Sequence, residues 1–173
     1  MAKKAFNLIY YHLLFHFLRL FCEIFPNLHF FNLIRGKLLG FFFGSVGKNF
    51  SIASGCKIMM SRNIHVGDDV YIAHDCWING TGNLTIEDNV IISPKVIIAT
   101  TKHHYENGMV HLKKSHNLPI LIKKGAWICG NSTITMGVTI GTGCIVAANT
   151  CITKDTRSFS LYGSNPGTLI KRL

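Results

Sequence analysis

The chain has 173 residues, of which 48% are hydrophobic and only 15% are charged. This balance excludes a disordered chain and supplies enough apolar residues for the core of one domain of ordinary size. Lys and Arg outnumber Asp and Glu by 18 to 8, so the formal net charge is +10. The basic residues are scattered and not clustered with aromatics. Their excess therefore suits anionic small molecules or an anionic membrane surface better than nucleic acid.

The six cysteines do not follow a metal-binding or disulfide pattern. No C-x-x-C pair, which is typical of zinc and redox motifs, is present. Cys56, Cys76 and Cys144 each stand four residues after an aliphatic residue, in a position that Val, Ala, Ser or Thr fills in many other hexapeptides. A free thiol serves there as a small buried hydrophobe. We therefore predict free cysteines and a reducing, cytoplasmic compartment.

Residues 1–45 are predicted to form two apolar or amphipathic helices ahead of the main domain. Over residues 5–24 the polar side chains follow helical spacing, and almost all other positions are aromatic or aliphatic. The polar stripe consists of His12, His16, Arg19 and Glu23. Pro26 ends this helix, and a second apolar helix is predicted over about residues 28–39.

The first helix has two alternative surroundings. Its apolar stretch over residues 5–18 is too short to cross a bilayer, which takes about 20 residues, and no small-residue cleavage site follows it. The helix either packs across the rest of the chain or a neighbouring subunit, or lies on a membrane surface with Lys3 and Lys4 facing anionic lipid. A peripheral membrane contact through residues 1–25 is therefore one of two open expectations.

From Val46 onward an aliphatic residue recurs at every sixth position. Neither an α-helix nor an alternating strand selects every sixth residue alone. A period of six is typical of a coil with three flat sides, in which three hexapeptides make one turn. The triplets are 46/52/58, 66/72/78, 86/92/98, 122/128/134 and 140/146/152. Residues 46–173 are therefore predicted to form an all-β solenoid of about five coils.

Departures from this period fall between triplets. The spacing from Ile58 to Val66 and from Ile78 to Ile86 is eight residues, so both additions are expected at the same corner of the coil. The residue after each inward aliphatic is often small. We interpret it as a tight corner, where glycine tolerates positive φ.

The largest departure is an insertion over residues 100–119, which is polar and lacks the repeat. It contains four of the nine histidines: His103, His104, His111 and His116. Long loops on rigid scaffolds commonly carry function, and histidine is a natural general base for a neutral hydroxyl. Glu106 is the only carboxylate of the insertion, so we predict no metal site. The tail over residues 154–173 is expected to leave the coil and end in a short helix or strand.

An ordered succession of motifs resembles the hexapeptide-repeat acyltransferases, whose fold is the left-handed parallel β-helix. The motifs are IEDNVIISP (86–94), KHHY (102–105), AWICG (126–130), MGVTIG (136–141), TKD (153–155) and GSNP (163–166). Within the family, the chain is most similar to the maltose and galactoside O-acetyltransferases and to the O-acetyltransferases of bacterial surface polysaccharides. The resemblance covers about residues 46–173.

The resemblance implies a homotrimer with acetyl-coenzyme A (acetyl-CoA) as donor and active sites between neighbouring coils. His103 matches the family's catalytic histidine, eleven residues after Ile92, and would be the general base. His104 is its alternative and a substrate-binding candidate, together with Tyr71 and Ala73. The implied cofactor-binding residues are Trp127, Gly130, Ala148, Thr153, Lys154 and Lys171. For the tryptophan, simple packing at a corner is the alternative.

Two features depart from the galactoside-type pattern. Thr168 and Lys171 stand where those enzymes carry arginines toward the coenzyme's phosphates. Ala73 stands where they carry an asparagine that helps to hold the transition state. The candidates to replace that asparagine are His74, Asp75 and Asn79.

We therefore expect an acetyl-CoA-dependent O-acetyltransferase that acts on a sugar hydroxyl of a surface polysaccharide or its lipid-linked precursor. It would work in the cytoplasm or at the inner face of the membrane, without nucleic acid or metal. One alternative is N-acetylation of an amino sugar, or acetylation of serine or an antibiotic. A second alternative is a non-catalytic trimeric scaffold.

Overall fold

The aliphatic repeat folds into a three-sided parallel β-helix, which confirms the predicted solenoid. The structure, a computed structural model, describes residues 13–173. Each coil passes through three short strands, one in each of three parallel sheets. Sheet A contains β1 (Ser45–Val46), β4 (Ile64–Val66), β7 (Leu84–Ile86), β12 (Ile120–Ile122) and β15 (Thr139–Ile140). Sheet B contains β2 (Ser51–Ile52), β5 (Tyr71–Ile72), β8 (Ile91–Ile92), β13 (Trp127–Ile128) and β16 (Ile145–Val146). Sheet C contains β3 (Lys57–Met59), β6 (Trp77–Asn79), β9 (Ile97–Ala99), β14 (Thr133–Thr135) and β17 (Cys151–Ile152).

Each inward aliphatic residue stacks on its equivalent in the next coil. In sheet A, Val66 is in register with Ile86, and Ile86 with Ile122. From Ile52 to Ile152 the aliphatic residues of the repeat are 4% exposed or less. They form one apolar column, and each such burial stabilises the fold by about 1.5–3 kcal/mol. Val46 is 37% exposed because it lies at the end of the column.

At the corners of the coil, the residues with left-handed φ are not the small residues that we interpreted as such. The left-handed φ falls three residues after the inward aliphatic, as at Asp69 (56°) and Asn89 (57°). The residue directly after the aliphatic is small because the next coil passes close by. At Gly141, for example, a Cβ would lie 2.5 Å from the backbone nitrogen of Ser158. The assignment of positive φ to these positions was therefore wrong.

The residues that lengthen the repeat to eight, before Val66 and before Ile86, both lie at the corner between sheets C and A. The two additions therefore share one corner, as predicted. A 3₁₀ turn (Ser61–Asn63) fills the first of these positions. The long insertion is an antiparallel hairpin of β10 (Thr101–Glu106) and β11 (Met109–Asn117), not an irregular loop. Asn107 and Gly108, with φ of 50° and 78°, form its turn. The sequence contains an Asn-Gly pair, which favours such a turn but is a strong hairpin signal only between strands of alternating hydrophobicity.

The tail extends the coil, so the prediction that it leaves the coil was wrong. The N–H of Thr156 donates to the carbonyl of Thr139 (3.0 Å) and continues sheet A. Strand β18 (Ser160–Gly163) pairs in parallel with β16, and β19 (Thr168–Arg172) returns antiparallel to it. Buried Tyr162 and polar residues replace the aliphatics in this turn. The β-helix thus has five complete coils and a partial sixth.

Two helices cover the first end of the coil. Helix α1 occupies residues 13–22 of the described range, and α2 spans His29–Gly40. The predictions for residues 1–12, His12 included, lie outside the described residues. The rings of Phe15 and Phe42 lie 5.5 Å apart, as do those of Phe43 and Phe50. These aromatic contacts join the helices to the apolar column.

The side of α1 that faces the coil combines buried Phe15 and Cys22 with Arg19 and Glu23, whereas His16 of the predicted polar stripe is exposed. Arg19 and Glu23 form an ion pair at 3.4 Å, and Glu23 also accepts a hydrogen bond from the N–H of Gly55 (2.7 Å). The large apolar residues on the outer side are 44% to 75% exposed: Leu13, Leu14, Phe17, Leu20, Phe21 and Ile24. Within residues 13–173 no helix has the length and apolar character needed to cross a membrane.

All six cysteines are free thiols, as predicted. Cys56, Cys76 and Cys144 are 3% exposed or less. Burial raises the pKa of the Cys144 thiol and of the Cys129 thiol. A raised pKa disfavours the reactive thiolate, so neither thiol is an activated nucleophile.

Candidate active site

The hairpin presents His103 and His104 on opposite faces. His104 contacts His116, the cross-strand partner of Lys102, so Lys102 and His104 share one face of β10 and His103, between them, lies on the other. His103, the predicted general base, is exposed, and its Cα is in register with Ser115 of β11. The pairing of the two strands shifts directly after His103. The two histidines therefore face different surroundings and are not interchangeable.

His104 belongs to a cluster of side chains within the hairpin. Its Nδ1 lies 2.7 Å from Nε2 of His116, and its Nε2 lies 3.3 Å from Oε2 of Glu106. His111 is the cross-strand partner of His104, and its Nε2 lies 4.0 Å from the same carboxylate oxygen. The ring of His104 therefore interacts with other residues of the hairpin, whereas His103 is exposed.

Asn79 and Thr100 anchor the base of the hairpin. The amide of Asn79 donates to the hydroxyl of Thr101 (3.4 Å), and its carbonyl oxygen accepts the N–H of Thr81 (2.8 Å). The buried hydroxyl of Thr100 donates to the backbone carbonyl of Asn79 (2.7 Å). Asn79 is thus buried and engaged in positioning the hairpin.

Trp127 lies in a strand, on the outer face of sheet B. It is in register with Ile91 and Ile145 of the adjacent coils. Its indole N–H donates to the hydroxyl of Ser93 (2.9 Å), which fixes the ring, and the residue is 45% exposed. The ring therefore offers an ordered apolar surface beside the corner between sheets B and C.

Gly130 and Ala148 lie at that corner, one coil apart. The N–H of Asn149, next to Ala148, donates to the carbonyl of Gly130 (3.1 Å). A Cβ at Gly130 would have only the carbonyl oxygen of Pro94, at 3.3 Å, within 4 Å. The backbone of this corner is thus open to a ligand.

The other predicted cofactor residues lie elsewhere on the surface. Thr153 and Lys154 follow β17 at the corner between sheets C and A, and both are exposed. Lys171 is exposed in β19. Because His103 and Gly130 lie at different edges of the coil, a single chain does not bring the base and the open corner together.

Of the predicted substrate residues, Tyr71 is accessible and Ala73 is not. Tyr71 lies on the outer face of sheet B, where partial burial raises its pKa, and it lines a cavity of about 700 Å³. His29 and Asn32 of α2 line the same cavity. Sequence reasoning missed these two residues because helix packing, not a motif, brings them there. Ala73 is 2% exposed.

The corner after Ala73 carries a polar pair. Nδ1 of His74 lies 2.9 Å from Oδ2 of Asp75, and the two side chains are 45% and 53% exposed. This exposed pair directly follows Ala73, the residue that stands where the galactoside-type enzymes carry an asparagine.

Comparison with known proteins agrees with the fold and its motifs. No protein-family model matches the chain. The galactoside O-acetyltransferase of Escherichia coli (strain K12) is 31% identical over 121 residues, which are 70% of this chain and 60% of that protein. The chain thus spans less than two thirds of the E. coli enzyme. A protein of Staphylococcus aureus (strain COL) named as an acetyltransferase is 30% identical over 143 residues, 80% of this chain and 70% of that protein.

Solved structures show the same relationship. The hexapeptide-repeat containing acetyltransferase of Vibrio cholerae O1 biovar eltor, complexed with acetyl-CoA, matches with a TM-score of 0.83 and 26% identity. The match covers 92% of this chain and 85% of that chain. The coil, its motifs and these relatives confirm the resemblance: the chain belongs to the hexapeptide-repeat acetyltransferase family.

Proposed function

We propose that this chain transfers the acetyl group of acetyl-CoA to a sugar hydroxyl, with His103 as general base. The observation that carries the proposal is the hairpin, which presents an exposed His103 at one corner of an acetyltransferase coil. A neutral imidazole accepts a proton from a hydroxyl near neutral pH. The acceptor we propose is a surface polysaccharide or its lipid-linked precursor.

The reaction requires no covalent enzyme intermediate. A ring nitrogen of His103 removes the hydroxyl proton as the acceptor oxygen attacks the thioester carbonyl, which forms a tetrahedral oxyanion. A backbone N–H stabilises this oxyanion. As the carbon–sulfur bond breaks, the imidazolium returns the proton to the departing thiolate, so the products are the acetyl ester and free coenzyme A.

The donor is proposed to bind along the open corner of Gly130 and Ala148. The ordered ring of Trp127 supplies an apolar surface beside this corner, and backbone groups supply hydrogen bonds. Thr153, Lys154 and Lys171 would contact the rest of the coenzyme. The ammonium groups serve as point charges toward phosphate, whereas arginines would bind it through two donors.

A homotrimer would unite the two halves of this site. His103 and the Gly130 corner lie at different edges of one chain, so a neighbouring subunit is needed to bring them together. The outer faces of sheets B and C carry apolar residues that suit such an interface. Those that are 41% to 47% exposed are Met59, Ile91, Ile97 and Trp127.

The outer side of α1 is proposed to lie on an anionic bilayer. Arg19 and Glu23 are engaged on the coil side of the helix, while six large apolar side chains of its outer side remain exposed. The net charge of +10, with Lys3 and Lys4 preceding the helix, favours anionic lipid. Such contact would hold the enzyme where a lipid-linked acceptor lies. Its free thiols suit the cytoplasmic face.

Thiol release from acetyl-CoA, measured with a panel of sugar acceptors, tests the reaction. His103→Ala should lower kcat/KM by about 100-fold or more and leave coenzyme binding and subunit assembly unchanged. His104→Ala, on the opposite face of the strand, is the control and should retain most activity. Loss of activity in His104→Ala alone would assign the base to His104. Turnover only with amine acceptors would establish N-acetylation, and no turnover together with no coenzyme binding would overturn the proposal.

Sedimentation with phosphatidylglycerol-containing vesicles tests the membrane contact. The double variant Phe17→Ser, Phe21→Ser should bind these vesicles at least about tenfold more weakly, because it removes two exposed rings one helical turn apart. Leu112→Ser is the control, since Leu112 is 89% exposed but lies on the hairpin. Equal binding of all three proteins would exclude α1 as the contact.

A further inference from the structure

One face of the hairpin carries a cluster that the proposed reaction does not use. His104 and Glu106 lie two positions apart in β10, so they share a face, and His111 is the cross-strand partner of His104 in β11. Their ligand atoms all lie within 4.8 Å of one another. Within residues 13–173 no other group of three or more His, Cys, Asp or Glu side chains is arranged in this way.

We propose, against the prediction of no metal site from the sequence, that this cluster binds a divalent transition-metal ion, with Zn²⁺ as the best fit. The ligands are Nε2 of His104, a carboxylate oxygen of Glu106 and Nε2 of His111. In a tetrahedral zinc site with bonds of about 2.1 Å, neighbouring ligand atoms are about 3.4 Å apart. The His104–Glu106 separation is 3.3 Å, and the His111–Glu106 separation of 4.0 Å closes by a small rotation of a partly exposed imidazole.

His104 also has the second hydrogen bond that a metal-binding imidazole requires. Its Nδ1 lies 2.7 Å from Nε2 of His116. When this Nδ1–H donates to His116, the lone pair of Nε2 is free and directed toward Glu106. Metal-bound histidines almost always donate their other ring N–H to such a partner. His116 is therefore the residue that orients the ligand.

The donor set selects the class of metal. Two imidazoles and one carboxylate suit Zn²⁺ and its neighbours, whereas Mg²⁺ and Ca²⁺ prefer oxygen ligands alone. Three protein ligands leave one position for water. The ion would join β10 to β11 across the Asn107–Gly108 turn, beyond the point where their pairing shifts. It would thus stiffen the hairpin that carries His103 and take no part in acetyl transfer.

The test is a titration of the untagged, EDTA-treated and dialysed protein with Co²⁺ and then Zn²⁺. We expect one equivalent per chain, visible Co²⁺ absorption bands of a four-coordinate site, and displacement of Co²⁺ by Zn²⁺. Calorimetry should show that Glu106→Gln and His111→Ala each weaken Zn²⁺ binding at least tenfold. His116→Ala should weaken it about 10- to 100-fold. His103→Ala, on the opposite face, should bind like the wild type.

Three results would overturn the site. They are no Co²⁺ bands at millimolar metal, equal Zn²⁺ affinity of His111→Ala and wild type, or loss of binding in His103→Ala. Far-UV circular dichroism checks that each variant is folded, which is expected because Glu106 is exposed and His111 lies at the surface. The result is independent of the proposed function, because metal uptake is measured without donor or acceptor.

Discussion

Arg35 is a fully buried charged side chain that fixes the turn between the two helices. It is 1% exposed. Its guanidinium donates to the backbone carbonyls of Cys22 (3.0 Å), Phe25 and Pro26 (3.1 Å), and to Oδ1 of Asn32 (2.6 Å). These carbonyls belong to the end of α1 and the turn after it, where backbone acceptors lack a helical partner. One side chain therefore sets the direction in which α1 leaves the coil.

Replacing Arg35 by Met should lower the free energy of unfolding by about 2–4 kcal/mol, because three carbonyls lose a charged donor. Urea unfolding followed by circular dichroism measures this change. Lys37→Met, at an exposed position of the same helix, should change stability by less than about 0.5 kcal/mol. If the two variants were equally stable, the carbonyls would not depend on Arg35.

Carboxylates connect successive coils at the corner between sheets A and B. Asp68 accepts the N–H of Lys48 (2.6 Å), Asp88 accepts the N–H of Asp68 (3.0 Å), and Glu87 accepts the N–H of Lys124 (2.8 Å). The hydrogen bond from Asp68, assisted by the Lys124 ammonium, holds the pKa of Asp88 below its usual 3.8. The corner is thus more stable with Asp88 ionised.

This lowered pKa makes the contribution of Asp88 depend on pH. The contribution is fully present above about pH 3.8, the usual value, and is lost as the pH falls through the lower pKa of the folded state. Asp88→Asn should therefore lower the urea midpoint at pH 7 and lose less further stability between about pH 4 and pH 2. Lys124→Met should give a smaller change of the same sign. Parallel acid dependence of Asp88→Asn and wild type would contradict this account.

At the scale of elements, the hairpin is an addition to a coil that closes without it. Removing residues 102–117 joins Thr101 to Leu118 and restores the eight-residue spacing of the two preceding coils between Ile98 and Ile122. The unfolding transition should persist within about 1–2 kcal/mol, since loop length has a weak effect on stability. Thiol release should be abolished. Retained turnover in the folded deletion variant would remove His103 from the mechanism.

The hexapeptide period was sufficient to predict the sheets, the core positions and the corner of each addition. Every coil repeats the same local requirement for an inward aliphatic residue. The hairpin escaped prediction because its strands are polar and mostly exposed, so they show no alternation. The partial sixth coil escaped because Tyr162 and polar residues, such as Ser160, fill its inward positions.

The candidate site was harder to predict than the fold. Residues within the coil, such as Trp127 and Gly130, could be placed from the repeat alone. The separation of His103 from His104 depends on the strand that the insertion forms. The pairing of His104 with His111 depends on a register shift between the two strands, which no local sequence pattern predicts. The proposed roles of His103 and Trp127 in the reaction are predictions that the kinetic experiments test.

At the scale of the whole molecule, the apolar column requires a cover at both ends. Coils of a solenoid are stable only against their neighbours, and terminal units with a polar outer face protect the core. The helices cover the first end through Phe15 and Phe42. The partial sixth coil covers the last end, where Tyr162 is 9% exposed and its hydroxyl oxygen accepts the N–H of Arg157 (3.1 Å).

Truncation after Thr153 should therefore destabilise the whole β-helix by at least about 3 kcal/mol, because it uncovers the last coil and leaves the edges of β15 and β16 unpaired. Thermal unfolding followed by circular dichroism would show a lower midpoint and aggregation. Truncation after Gly167 is the matched control, since it removes only β19, whose residues are all exposed, and keeps β18. The control should unfold near the wild-type midpoint but, without Lys171, show a higher KM for acetyl-CoA. Equal midpoints for the two truncations would mean that the sixth coil does not protect the core.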